Sequence, residues 1–124
     1  MKLIFVGVGG FFGAISRFAL GEWLHTDNGF PLGTLAVNLL GCLVLGWFLA
    51  FAKRRGLRSE TVLLVGTGFL GSFTTFSTFS VETVNLLAAG QGWFALIYVL
   101  LSILVGLLLA FIGFKFANKG AEAG

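Results

Sequence analysis

Four long stretches almost free of charge constrain this chain more than any other feature. Leu3 to Gly21 is interrupted only by Arg17, while Asn28 to Ala52, Thr61 to Val81 and Thr83 to Phe114 carry no charged residue at all. A helix crossing the hydrocarbon of a bilayer needs about 20 predominantly apolar residues. Each stretch meets or nearly meets that length, and the last is long enough to span from Trp93 onward alone. The third continues past Glu82 as an apolar tail to Ala89. The direct reading is an all-α integral membrane protein with four transmembrane helices. Their approximate spans are 3–23, 32–52, 61–89 and 93–117, within a single membrane domain covering 1–124. Barrel strands would alternate apolar and polar residues, and these stretches do not.

Composition removes the competing classes. Charged residues make up 10% of the 124 positions, against about 25% for a soluble domain, so they could not cover a water-facing surface. The 19 glycines suit close helix packing in lipid. A single cysteine, Cys42, leaves no disulfide framework and no zinc-ligand spacing. The net charge of +3 comes with few arginines and no extended basic tract, which argues against nucleic-acid binding. Lys2 ahead of an apolar run and a cleavage-like Ala14-Ile15-Ser16 resemble a signal peptide. The first stretch is nevertheless read as a helix, because its loss would strip the other three of their glycine-rich partner.

Turn chemistry separates the spans: His25-Thr26-Asp27-Asn28-Gly29 with Pro31, then Lys53 to Arg58, then Gly90-Gln91-Gly92. Trp23, Trp47 and Trp93 fall near stretch ends, where indoles favour the headgroup region. His25 has no evident role in its loop. These connections are too short to fold into a soluble domain, so the function lies within the bilayer. Four spans put both termini and the middle loop on one side, which holds Lys2, Lys53, Arg54, Arg55, Arg58, Lys115 and Lys119. The positive-inside rule assigns that side to the cytoplasm.

The polar residues inside the spans are few and grouped. Positions 72–80 hold six hydroxyls and three phenylalanines, Ser72-Phe73-Thr74-Thr75-Phe76-Ser77-Thr78-Phe79-Ser80. Such a run competes with the helix for its own hydrogen bonds, and Gly66, Gly68 and Gly71 upstream weaken the helix further. The expectation is a third helix broken at the midplane near 72–76, its backbone lining a cavity. The alternative use of the hydroxyls is bonding back to the preceding turn. Thr34 and Asn38 in the second span, and Tyr98 and Ser102 in the fourth, are each four apart and share a helix face. Thr34 and Asn38 could be packing glue between helices, and Tyr98 an interfacial anchor, though a serine one turn on suggests a polar track. Arg17 is costly in lipid, so it faces protein, water or an ion, or reaches toward the interface. Glu82 lies just beyond the hydroxyl run, placed for a basic partner or a vestibule.

No span has a carboxylate at its centre, so a proton-coupled exporter lacks its titratable group. The available lining is hydroxyls, an amide, phenylalanines and one arginine, rich in donors and free of negative charge. Phenylalanine adds a partly positive ring edge. This lining favours a small anion over a cation. A chemical enzyme is not indicated, because Cys42 and the serines have no base beside them.

At these motifs the chain resembles the fluoride channel family, Fluc/CrcB, over essentially its whole length. The resemblance lies in Gly9-Gly10-Phe11-Phe12-Gly13-Ala14-Ile15-Ser16-Arg17, in Gly33-Thr34-Leu35-Ala36-Val37-Asn38-Leu39-Leu40-Gly41, and in the segment from Gly68 to Glu82. It implies an antiparallel, dual-topology dimer of four-helix subunits with two fluoride pores, located in a prokaryotic cell (inner) membrane. Passive fluoride efflux from the cytoplasm would relieve fluoride toxicity. By the same resemblance Phe76 and Phe79 would present ring edges to fluoride, and Asn38, Tyr98, Ser102, Thr34 and Thr75 would line the pore. Arg17 and Glu82 would stand at the vestibules. Gly71 and Thr74 would offer backbone carbonyls to a structural sodium ion at the dimer interface.

The strong basic bias departs from the usual dual-topology homodimer, so pairing with an oppositely oriented paralogue is the alternative to a homodimer. A coupled small-cation exporter of similar architecture and a non-transporting assembly subunit are the competing functional classes.

Overall fold

The structure is a computed structural model that describes residues 2–24 and 30–123, with side chains as far as Asn118. The expected first turn, His25-Thr26-Asp27-Asn28-Gly29, and the Lys119 side chain lie outside the described residues. Helix α1 is Lys2–Trp23 and α2 is Leu32–Arg55. The third span, Ser59–Ala88, comprises α3 (Ser59–Val62), a π-helical stretch Leu63–Leu70, α4 (Gly71–Phe73) and α5 (Ser77–Ala88). The fourth comprises α6 (Gly92–Leu100), a π-helical turn Leu101–Val105 and α7 (Gly106–Ala123). Four helical segments are therefore long and apolar enough to cross a membrane.

The second helix runs beyond residue 52, through Lys53, Arg54 and Arg55. Basic side chains in a last turn complement the partial negative charge of the helix C-terminus. Gly56 then closes the helix in the left-handed conformation, φ 63°, with its amide directed to the Ala52 carbonyl. Within the expected stretch 72–76, Ser72 and Phe73 are helical, and Thr74, Thr75 and Phe76 lie outside the helical run. Gly66 and Gly68 belong to the π-helical stretch that precedes it. Gly68 packs so closely on α1 that a Cβ there would stand 2.6 Å from the Val6 carbonyl oxygen.

Helix α1 lies along the π-helical stretch and α4, α2 along α7, and α5 against α6. Small residues make these approaches possible. A Cβ on Gly9 would strike the Leu64 carbonyl, and one on Gly13 the Phe69 carbonyl, which accounts for the glycine-rich start of the chain. Between the helices, one apolar cluster gathers Leu35, Leu86, Ala95 and Tyr98, and a second gathers Phe48, Ala52 and Leu70. The outside is as apolar as the inside: Leu3 is 84% exposed, Phe18 67% and Leu107 68%. Among the described residues no charged side chain is buried. Such an exterior fits lipid rather than water.

Candidate functional site

The three residues outside the helical run of the third span are held by side chains. Thr74 has an extended backbone, φ −79° and ψ 153°, which turns the following amide away from the helix axis. The Thr75 N–H donates to Asn38 Oδ1 at 2.8 Å, and Asn38 Nδ2 donates to the Thr75 carbonyl at 3.0 Å. One carboxamide thus satisfies both backbone groups of a residue that no helix serves, using the donor and acceptor a primary amide carries. Gly41, less than one turn further along α2, makes room for this contact: a Cβ there would collide with the Thr74 methyl group.

The hydroxyls divide into two uses. Thr74 Oγ1 donates to the Leu70 carbonyl at 3.0 Å, and Thr83 Oγ1 to the Phe79 carbonyl at 2.8 Å. Both are bonds back to the preceding turn. Thr75 Oγ1 instead accepts the Thr78 N–H at 3.2 Å, capping the start of α5 as hydroxyls do at helix N-termini. Two carbonyls lose their helical donors as a result. The amide four residues after Gly71 is that of Thr75, which serves Asn38, and the amide four residues after Thr74 is that of Thr78, which serves the Thr75 hydroxyl.

Two recesses share Thr75 in their linings. The first, about 290 Å³, is lined by Arg17, Glu22, Thr34, Val37, Thr75 and Glu82 among others. The second, about 360 Å³, is lined by Asn38, Cys42, Thr74, Thr75, Phe76, Phe79 and Ser102 with two aliphatic neighbours. The two paired positions of the second span therefore line different recesses. Thr34 opens on the first recess, and Asn38 and Ser102 on the second.

Tyr98 stays behind the wall. It is fully buried, so it is not an interfacial anchor. Its hydroxyl donates to Glu82 Oε1 at 3.3 Å, and its ring lies 5.0 Å from that of Phe79 and 5.9 Å from that of Phe30. Arg17 shares the first recess with Glu22 and Glu82 but forms no ion pair among the described residues.

Phe76 and Phe79 have ring centroids 5.9 Å apart, inclined at 36°, and Phe76 is 78% exposed on the single chain. Ser102, on the π-helical turn of the fourth span, has a buried hydroxyl without a hydrogen-bond partner. A π turn displaces a side chain from its regular register and recurs at functional positions. Gly71 and Thr74 stand at the edge of the same region through their backbone. Sequence reasoning missed Glu22 and Cys42 as lining residues. Cys42 was findable, since it lies four after Asn38 and so on the same helix face. Glu22, five residues after Arg17 in α1, had no periodic signal.

The lining is polar around the shared Thr75 and apolar beyond it, and it combines donors from three helices with two phenylalanine rings. Chemically, it can strip and replace part of the hydration of a small anion without offering a proton acceptor at its core.

Comparison with known proteins bears on this geometry. Residues 4–114 match the family model described as CrcB-like protein, Camphor Resistance (CrcB). The chain is 49% identical over 117 residues to the fluoride-specific ion channel FluC of Oceanobacillus iheyensis, covering 94% of this chain and 91% of that one. It is 48% identical over 122 residues to fluoride-specific ion channel FluC 1 of Bacillus thuringiensis subsp. konkukian, covering 94% and 89%. It is also 48% identical over 121 residues to FluC 2 of Moorella thermoacetica, covering 96% and 98%. With near-complete coverage on both sides and a family match across all four spans, the chain belongs to the CrcB family.

Proposed function

We infer that this protein is a fluoride-selective ion channel. The observation that carries the reading is that two recesses share Thr75, whose backbone Asn38 holds by two hydrogen bonds, in a chain nearly half identical to fluoride-specific channels. Fluoride is small and tightly hydrated, so it crosses only where several donors replace its water at once. Arg17 supplies a cationic donor in the first recess, beside the carboxylates of Glu22 and Glu82. The second Asn38 amide hydrogen and the unpartnered Ser102 hydroxyl supply donors along the way, Thr34 lines the approach, and Phe76 and Phe79 offer ring edges. Movement is passive and driven by the electrochemical gradient, which exports fluoride from the cytoplasm. The location is a bacterial cell membrane, in keeping with bacterial relatives.

The working unit is a dimer of antiparallel subunits. Phe76 and Ser77 are exposed on the single chain, beside three non-helical residues, and lipid does not tolerate irregular backbone on its own side. A second copy is the natural cover. The basic bias of one membrane face keeps an inverted paralogue as the alternative partner, and isolated expression of this chain distinguishes the two.

The carbonyls of Gly71 and Thr74 suit a structural sodium ion, being hard oxygen donors relieved of their helical amides. Two oxygens are too few for a cation, and two copies related by a two-fold axis would supply four. Sodium would fix the dimer and take no part in transport.

Reconstituted liposomes test the reading. Fluoride efflux should begin when a potassium shunt relieves the membrane voltage and should need no imposed proton gradient. Phe79→Leu should slow it at least about tenfold, the scale of losing one specific ion contact of ~1.4 kcal/mol. Efflux that requires a proton gradient, or that ignores substitution of both Phe76 and Phe79, would overturn the proposed pathway.

A further inference from the structure

We propose that the groove between α2 and α7 is a binding site for an anionic phospholipid, its acyl chain lying in the groove and its phosphate on Arg54 and Arg55. The groove holds about 360 Å³ and is lined by Leu43, Val44 and Trp47 from α2 and by Ile112, Gly113 and Phe116 from α7. Every one of these contributes apolar surface. At 100° per residue, Leu43, Val44, Trp47, Phe51, Arg54 and Arg55 share the side of α2 opposite Asn38, Cys42 and Leu45. The groove therefore opens away from the recess those three residues line.

Going toward the end of α2, apolar chemistry gives way to aromatic and then to cationic. Trp47 stacks on Phe51, centroids 5.0 Å apart and 14° from parallel. The guanidinium carbons of Arg54 and Arg55 lie 5.9 and 5.8 Å from the centre of that same ring. Arg54 Nη1 donates to the Ala117 carbonyl at 2.8 Å, which fixes one guanidinium between the two helices and leaves its other donors free to bond elsewhere.

Charge complementarity decides the occupant. Two guanidinium groups lie within 6 Å of the centre of one ring, and among the described residues no carboxylate pairs with either; Glu60 is engaged by Arg58 at 3.3 Å. A phosphodiester at this end of α2 balances their charge and accepts hydrogen bonds from them. The order of acyl groove, aromatic step and paired cations matches the order of tail, ester region and phosphate in a phospholipid. Basic pockets between spans at one membrane surface bind anionic headgroups on the same grounds.

The test uses intact protein carrying Trp23→Phe and Trp93→Phe, so that Trp47 alone fluoresces, in bilayers with chain-brominated phosphatidylglycerol or phosphatidylcholine. Quenching of Trp47 should show about fivefold or greater preference for phosphatidylglycerol, and Arg54→Gln with Arg55→Gln should reduce the preference to near unity. Among the described residues the Arg55 side chain makes no hydrogen bond or ion pair, so Arg55→Gln alone tests the headgroup contact if the double variant fails to fold; it should lose most of the preference. Equal quenching by the two lipids overturns the site. So does a preference that survives Arg55→Gln, or one that soluble inorganic phosphate removes as effectively as the lipid.

Discussion

Helix α2 presents two faces that solve the same problem in opposite ways. Toward α7 it uses absence: a Cβ on Gly46 would strike the Ala110 carbonyl, and one on Gly113 of α7 would strike the Leu43 carbonyl. Both helices keep their internal hydrogen bonds, and attraction comes from the close approach of two satisfied backbones. Toward the third span α2 uses a single polar group. Asn38 replaces two helical hydrogen bonds at Thr75 with two of its own. The first face is tolerant of chemistry and intolerant of volume, and the second is the reverse. The difference teaches where function can reside, because only the second face leaves backbone and hydroxyl groups available to something other than the helix.

Substitutions can break that contrast. The largest effect is expected from Asn38→Leu, which keeps volume and removes both hydrogen bonds. Leaving the Thr75 amide and carbonyl unpaired away from water costs about 1–3 kcal/mol for each group. Efflux in liposomes should fall at least about tenfold, since ~1.4 kcal/mol suffices for that, with a matching loss of thermal stability. Near-normal flux in this variant would show that the contact is incidental.

Gly46→Val should come next, destabilising by about 1–3 kcal/mol through overpacking against α7. In protein that remains folded, it should leave anion selectivity as it was. A thermal-shift series in detergent together with fluoride-to-chloride flux ratios separates the two readouts, and a selectivity change would blur the distinction between the faces.

Tyr98→Phe removes the hydroxyl that donates to Glu82 while preserving the ring against Phe79 and Phe30. The expected stability loss is smaller, about 0.5–1.5 kcal/mol, readable by unfolding of the purified protein. Ser102→Ala should have the least effect on stability, because its hydroxyl has no protein partner to lose. Flux should nevertheless fall if that hydroxyl serves the ion, so unchanged efflux in this variant would remove Ser102 from the pathway.

Much of this arrangement is legible in the amino-acid sequence. Absence of charge defined the spans, because hydrocarbon penalises charge so heavily that uncharged length alone is informative. The glycines of the first span announced their close approach, as Gly9 and Gly13 bear out. Spacing of four placed Thr34 with Asn38 and Tyr98 with Ser102 on common faces. Spacing could not say that Thr34 and Asn38 line different recesses while Tyr98 lines neither, since that follows from how neighbouring helices pack. Nor did it distinguish Thr74 and Thr83, which bond back to their own turns, from Thr75, which caps the next helix. Three threonines of one chemistry differ only through the backbone around them. The π-helical stretches were likewise hidden, because a wider turn leaves no signature in composition.

The most direct measurement is fluoride release from liposomes that contain this chain alone, loaded with potassium fluoride and triggered by a potassium ionophore. The account predicts immediate fluoride efflux, with chloride-loaded vesicles releasing at least about a hundredfold more slowly, a barrier difference of ~2.7 kcal/mol. No fluoride release, or chloride release at a comparable rate, would contradict it.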